Sequence, residues 1–436
     1  MATAFDFKAP DFYSPESYAK ETARIFDICN GCRLCFNLCP SFDVLFKRID
    51  ELDGDLEKLG DSDTRKVVDL CYDCKLCFPK CPYTPPHHFM LDFPRHMLRG
   101  KAIEAKKHGV LLRDKMLSQT DLLGTVSTKV APIVNWTLES KPFRALMEKT
   151  IGIHRERNLP RYSSRTFTSW YKRHKKSEAG SKTEEVGRTA EAGQAPPKVV
   201  FFHTCSVNYN DVDTGKAAIQ VLEKNGVHVE VPPQKCCGMP YLDGGDVNNA
   251  KKHAAYNLGQ LVHYVKNGYD VVSPGPSCSY LMKKEYPMLS DDPDAKLVAS
   301  HTYDMMEYLA KLNKEGKLST DFKKPQGNIT YHLPCHLKAQ NIGFKSRDVL
   351  ELVPDTKVDV VAKCSGHDGT WSLKKEYFKM SLEVGKPLFE KFNETDASAS
   401  DCPLAKLQIE KGSGAKPRHP IQILRDAYGL EQDPKV

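Results

Sequence analysis

The chain has 436 residues, 40% hydrophobic and 27% charged, with a formal net charge of +7 and fifteen cysteines. That composition fits a globular protein long enough for two or three domains, and it excludes collagenous, wholly disordered and polytopic membrane chains. No eighteen-residue apolar run occurs, and the opening MATAFDFKAPDFYSPESYAK lacks the basic and apolar stretches of a leader, which predicts a cytoplasmic protein. In that reducing compartment the cysteines are not expected to form disulfides, so their spacing reads as metal chemistry.

Cys29, Cys32, Cys35 and Cys39 precede Pro40 at spacings that Cys71, Cys74, Cys77 and Cys81 repeat before Pro82. Soft thiolates select iron–sulfur clusters or zinc, and this spacing is the bacterial ferredoxin run. The last cysteine of each run is expected to cross over. One [4Fe–4S] cluster then takes Cys29, Cys32, Cys35 and Cys81, and the second takes Cys71, Cys74, Cys77 and Cys39. A zinc ribbon needs two cysteine pairs, not two quartets. Between the runs Phe42, Leu45, Phe46 and Ile49 recur at helical spacing, and Asp61-Ser62-Asp63 reads as a cap before Thr64–Leu70, as helix signals do. Helices between the loops predict an all-α double-cluster ferredoxin domain over residues 1–105. Arg33, Lys75 and Lys80 stand among the ligands; the simplest reading of each is a cation that keeps its loop solvated.

Residues 106–176 read as an amphipathic and then basic helical segment. Leu122, Leu123, Val126, Val130, Ile133 and Val134 recur at helical spacing, with breaks expected at Pro132 and Pro142. The stretch Leu122–Leu138 is short for a membrane span and carries Lys129 near its centre, which argues against a transmembrane helix. Two placements compete: in a membrane surface with Trp136 at the interface, or packed on a partner or on the chain's own core, with packing preferred. Arg155, Arg157, Arg161, Arg165, Lys172, Arg173, Lys175 and Lys176 then face one acid, Glu156. With Tyr162, Phe167, Trp170 and Tyr171 interleaved, the stretch fits nucleic acid or anionic lipid. Nothing else in the chain supports nucleic acid. Residues 177–197, rich in Gly, Ala, Ser and Glu, predict a flexible linker.

Residues 198–436 hold the other seven cysteines in two similar halves. The first reads as strand Lys198–His203 to Cys205, helix Thr214–Asn225, strand Val227–Val231 to Cys236-Cys237-Gly238, helix Ala250–Asn267, and strand Tyr269–Ser273 to Cys278. The second reads as strand Asn328–Leu333 to Cys335, strand Val358–Ala362 to Cys364-Ser365-Gly366, a helical stretch, and Cys402. Alternating strands and helices predict α/β units with parallel strands, whose ligands bind beyond the carboxyl ends of the strands. Gly244, Gly245 and Gly369 are expected to let backbone pass close to a cluster.

Taken together, these residues resemble the CCG-domain iron–sulfur proteins, the group that contains the catalytic subunit of heterodisulfide reductase. The likeness extends to Leu117–Leu122, Ala131–Asn135 and the tail His419-Pro420-Ile421. Within the family it is greatest to subunits that carry electrons from a flavin dehydrogenase towards membrane quinone. The resemblance implies two cubane clusters in front and one or more further clusters in a duplicated CCG domain. This chain departs from the full pattern: complete repeats end in Cys-x2-Cys, but Leu281 and Ala405 replace the last cysteine, and Ser365 replaces the second cysteine of the pair. Repeat one keeps four thiolates, Cys205, Cys236, Cys237 and Cys278, enough for one cluster. Repeat two keeps Cys335, Cys364 and Cys402. These bind a cluster with an unusual ligand, His336 and His367 being the candidates, or mark a decayed site; the decayed reading is preferred.

The expected function is an iron–sulfur electron-transfer subunit of a redox complex, on the cytoplasmic face of the inner membrane if peripheral. It relays electrons between a flavoprotein dehydrogenase and quinone or another acceptor. No acid, base or nucleophile constellation points to a catalytic subunit. The rivals are a thiol or disulfide reductase at the first CCG cluster, disfavoured by Leu281, and a soluble electron donor to a diiron or peroxide-scavenging protein.

Overall fold

A computed structural model of the chain describes residues 5–181, 195–393 and 397–431. The front part is built from helices Pro15–Cys32, Pro40–Glu51, Asp61–Leu70 and Phe93–His108, with short turns at Leu56–Lys58 and Cys77–Lys80 and no strand among its described residues. Local chemistry sets the boundaries. The Ser14 hydroxyl accepts from the Ser17 amide at 3.2 Å ahead of Pro15, a side-chain cap with proline in the first turn. Helix Asp61–Leu70 starts three residues before the expected Thr64: Gly60 is the cap, and its amide donates to the Asp63 carboxylate at 3.2 Å. Phe42, Leu45, Phe46 and Ile49 are all buried, against Ile25, Phe26, Val67, Leu91 and Met97. Helix Phe93–His108 crosses the expected boundary at residue 105, and its Leu98 and Ala102 pack with Phe7 and Phe12 into the core of the first CCG repeat.

The back part holds two parallel sheets. Strands β1 (Lys198–Phe201), β2 (His228–Glu230), β3 (Asp270–Ser273) and β4 (Thr302–Asp304) form one, in the order β2-β1-β3-β4. Strands β5 (Gly327–His332), β6 (Thr356–Val361) and β7 (Ser398–Ser400) form the other, in the order β6-β5-β7. In each half the first strand is central and the next two flank it, so the duplication read from the cysteines is also one of topology. Strand β4 is an addition to the first half that the sequence pattern did not indicate. The halves share one core, in which Val199, Phe201 and Leu222 pack with Ile329, Tyr331 and Ala399. The tail closes it: the fully buried Arg425 of helix Pro420–Ala427 donates to Asp213 at 2.6 Å.

The middle segment forms helices Leu112–Ser118, Thr120–Lys129, Ala131–Glu139 and Lys141–Ile151, and Pro132 and Pro142 each sit in a first turn as expected. Its orientation overturns packing on the chain's own core. Leu112 is 71% exposed, Ile133 64% and Trp136 60%, and Leu122, Val126, Phe143 and Leu146 are exposed with them. The inward side is instead small or polar: Gly124, Ser127, Thr128 and Ala131 are buried. At Gly124 a Cβ would collide with the Tyr209 ring, so glycine lets the helix lie close while its apolar residues point outward.

The basic stretch is not a stacking groove. Phe167, Trp170 and Tyr171 are buried in the shared core. Arg157 is buried and donates to Ser381 at 2.6 Å, while Arg155, Arg161 and Lys175 pair with Glu148, Glu139 and Glu230. Helix Phe167–Ser181 runs through the start of the expected 177–197 linker, and residues 182–194 of that linker lie outside the described residues.

Candidate iron–sulfur sites

Cys29 and Cys32 lie in the last turn of helix Pro15–Cys32, and Arg33 follows at φ +49°, turning the chain so that Cys35 faces back. Cys29, Cys32, Cys35 and Cys81 line one void of about 30 Å³ with Phe42, Phe46 and Leu91. The structure thus brings together the crossed-over set read from the spacing. Burial and the neighbouring thiols push the Cys29 thiol up, and burial takes Cys35 to about 11. Deprotonating such a group requires compensating positive charge, which a metal cluster supplies.

The second set lies deeper. Cys71, Cys74 and Cys77 are buried, and Cys39, which caps helix Pro40–Glu51, lies near Cys71, Cys74 and Cys77. Burial takes Cys71 to about 11 and Cys39 to about 12, against the pull of the Ser41 and Phe42 amides aimed at the Cys39 sulfur. Helix amides at an N-terminus are the ordinary way to favour a thiolate. Lys75 does not keep this loop solvated: it is buried and donates to Asp73 at 2.8 Å, with Glu285 at 4.0 Å. Arg33 pairs with Asp50 at 2.7 Å.

In repeat one, Cys205, Cys236, Cys237 and Cys278 converge beyond the ends of β1, β2 and β3. The Cys278 and Cys237 sulfurs are 3.2 Å apart, and the Cys205 and Cys237 thiols bond the Cys236 sulfur, which these bonds hold well below the usual thiol range. The middle segment serves this site: Asp121 accepts from the Cys236 amide at 2.8 Å, and the buried Thr120 hydroxyl lies beside the Cys205 and Cys236 sulfurs. Sequence reading singled out Leu117–Leu122 only by resemblance and gave Asp121 no role. His253 holds the Cys236 carbonyl at 2.9 Å. Gly245 and Gly369 do not attend a cluster. A Cβ on Gly245 would lie 2.5 Å from the Lys101 carbonyl oxygen, and one on Gly369 2.7 Å from Asp243.

In repeat two, Cys335, Cys364 and Cys402 follow β5, β6 and β7 as expected. The Leu404 and Ala405 amides at the start of helix Pro403–Ser413 face the Cys402 sulfur, and burial takes its thiol to about 11. Around Cys335 stand two residues that sequence reading missed or left undecided. Asp368 accepts from the Cys335 thiol at 3.7 Å, and the ligand atoms of Cys335, His336 and Asp368 lie within 4.8 Å of one another. Ser365 lines the site beside Cys364, its hydroxyl donating to the His367 carbonyl at 3.5 Å.

The sites adjoin. Tyr72, between ligands Cys71 and Cys74, donates or accepts at 3.5 Å from the Cys364 sulfur. Cys74, Cys39, Cys335 and Cys364 pack with Trp371, whose indole N–H donates to the Asp69 carbonyl at 3.0 Å. His336 reaches the other way, pairing with the Ser277 hydroxyl at 2.8 Å next to Cys278.

Comparison with known proteins agrees with this arrangement. Residues 22–107 match the family of the citrate utilization protein B Fer4-like domain, and residues 199–283 and 329–410 each match the cysteine-rich CCG domain. An anaerobic glycerol-3-phosphate dehydrogenase subunit of Escherichia coli is 33% identical over 321 residues, 72% of this chain and 77% of that one. The chain belongs to this family of CCG-domain iron–sulfur electron-transfer proteins. Lactate utilization protein A of Oceanobacillus iheyensis is 32% identical over 46% of the chain and 82% of its own length. A fumarate reductase (CoM/CoB) subunit of Methanothermobacter marburgensis is 29% identical over 54% of the chain and 46% of its own length. The family fits the donors present, since the CCG cysteines follow the strands and range from buried to partly buried.

Proposed function

We propose that the chain relays single electrons between a flavoprotein dehydrogenase and quinone or another acceptor at a membrane surface. One observation carries the reading: the cysteine sets adjoin one another. Cys29, Cys32, Cys35 and Cys81 adjoin Cys71, Cys74, Cys77 and Cys39 through Cys35 and Cys77, Tyr72 and Cys74 join that set to Cys364 and Cys335, and His336 bridges the Asp73 carbonyl of the same loop to Ser277, next to Cys278. Two [4Fe–4S] clusters in front and a further cluster on Cys205, Cys236, Cys237 and Cys278 are the cofactors this reading assigns. Bound there, such clusters exchange one electron at a time. The residues assigned to them would keep them in low dielectric, and backbone amides face the Cys39 and Cys402 sulfurs.

The dehydrogenase and reductase subunits among the relatives support assembly with a redox partner. The exposed apolar side of residues 112–146 supports a docking role as well, because an apolar patch of this extent on a charged protein marks an interaction surface. No helix among the described residues is long and apolar enough to cross a membrane, so this face would lie on the bilayer or against a partner.

The test is anaerobic reduction of the purified protein with dithionite, followed by mixing with menadione, ferricyanide or a disulfide. Fast re-oxidation by menadione and ferricyanide but not by the disulfide is the expected result. Catalytic turnover of the disulfide by the protein alone, abolished in Cys237→Ala, would replace the relay by a reductase.

A further inference from the structure

Repeat two lacks one thiolate relative to repeat one, Ser365 standing where Cys237 stands. The space around it has nonetheless not closed. Cys335, Cys364, His367 and Asp368, with Tyr72 and Cys74, line a void of about 20 Å³, close to the 30 Å³ of the one around Cys29, Cys32, Cys35 and Cys81. A site that had lost its ligand would be expected to fill with side chains, since interiors pack to near-crystalline density.

The polar groups at this void differ in how they are partnered. His336 is committed, its Nε2–H donating to the Asp73 carbonyl at 3.4 Å and its Nδ1 paired with Ser277. His367 is 5% exposed, and neither of its ring nitrogens has a hydrogen-bond partner among the described residues. Leaving such a group unsatisfied is costly, and native proteins rarely retain that cost without a ligand to remove it. Asp368, 7% exposed, faces the Cys335 sulfur.

We propose that the second repeat binds an iron–sulfur centre of mixed ligation, held by the Cys335, Cys364 and Cys402 thiolates and the Asp368 carboxylate, with His367 donating an N–H to a cluster sulfur. A carboxylate replaces the missing thiolate at equal charge, but as a hard oxygen donor it holds iron less firmly. Asp368 and Tyr72 also line a separate cavity of about 780 Å³, bounded by Lys101, Lys374 and Trp371. An iron held by Asp368 would therefore be the one that a small donor entering from this cavity reaches, binding the metal in place of the carboxylate.

The inference rests on the iron–sulfur reading above, and its test separates the two. Full-length protein and its variants are purified anaerobically, assayed for iron and acid-labile sulfide, and examined by low-temperature EPR. Cys335→Ser and Asp368→Ala are expected to lose up to about four irons, one cubane's complement, while the signals of the two front clusters stay. Asp368→Cys, which serves if Asp368→Ala fails to fold, keeps the iron and gives the signal of an all-thiolate cluster. Cyanide shifts one signal of the wild type and none of Asp368→Cys. His367→Phe keeps the iron and moves one midpoint potential. Unchanged iron and spectra in both Cys335→Ser and Asp368→Ala, with the front signals intact, would overturn the proposal and leave the relay standing. Zinc at this site would overturn it equally, and absence of all iron would sink both readings.

Discussion

Glu285 ties the two halves of the protein together, and replacing it by glutamine should loosen them by a calculable amount. It is fully buried in the first CCG repeat, and Arg95 donates to its carboxylate from two nitrogens at 3.0–3.2 Å, with Lys75 Nζ at 4.0 Å. Both cations come from the ferredoxin domain, Lys75 from the ligand loop itself. Removing one partner of a buried ion pair costs about 3–5 kcal/mol because a desolvated charge is left uncompensated. Here each cation keeps one acid, Lys75 with Asp73 at 2.8 Å and Arg95 with Asp92 at 2.7 Å, so Glu285→Gln belongs at about 3 kcal/mol. An unfolding entropy of about 2.1 cal/mol/K per residue makes that a Tm fall of about 3 °C for a chain of this length. Anaerobic calorimetry measures it, in a cycle with Arg95→Met. The double variant Glu285→Gln/Arg95→Met should lose less than the sum of the two single variants, since it leaves neither charge of the pair uncompensated by the other. A Tm within about 1 °C of wild type for Glu285→Gln, or losses in the cycle that simply add, would refute the coupling. Acid provides a sign check. Burial pushes the Glu285 carboxyl up, but Arg95 and Lys75 outweigh it and hold the group below its ordinary value. Its stabilisation is then complete above about pH 4.3 and lost as pH falls through the lower folded value, so wild type and Glu285→Gln should converge in acid.

Two further outcomes follow from the placement of side chains. Ile133→Ser with Trp136→Ser should leave Tm within about 1 °C, because exposed apolar groups contribute little to folding, yet reduce sedimentation with anionic vesicles several-fold; an unstable double variant would mean the face is core. Cys39→Ser should remove or alter the EPR signal of the Cys71, Cys74 and Cys77 cluster and spare the other, and loss of the Cys29, Cys32 and Cys35 signal instead would reverse the cross-over.

How much of this was legible in the sequence depends on the range of the interaction involved. The crossed cysteine sets, the helices between them and the strand-end placement of the CCG cysteines rest on local spacing, and spacing survives folding. Phe42, Leu45, Phe46 and Ile49 are buried for the reason their period gives. The same period misled at Leu122, Val126 and Ile133. An apolar stripe states that a face avoids water, not which surface covers it. The inward residues Gly124, Ser127 and Thr128 carried the contrary signal, since small side chains let a backbone approach its neighbour closely. Charge runs misled in a related way. Arg155–Lys176 reads as one basic patch only until Glu148, Glu139, Glu223 and Glu230 arrive from elsewhere in the chain.

The residues that sequence reading missed share one property: their role exists only across a long loop closure. Tyr72 meets the Cys364 sulfur from 292 residues away, and Asp121 meets the Cys236 amide from 115. No local pattern marks either. Asp368 lies between, for it stands four residues after Cys364, near enough to be suspected and too far to be assigned. What promotes it is the void it shares with Tyr72 and Cys74 of the ferredoxin loop. The second repeat therefore cannot be judged as an isolated copy of the first. A thiolate lost within one domain is made good, or not, at a surface that a second domain completes, and here that domain brings the neighbouring cluster's own ligand loop to it. Ser365 alone argued for decay; Ser365 beside Asp368, His367 and Tyr72 argues for a centre whose ligation changed while its place in the electron path did not.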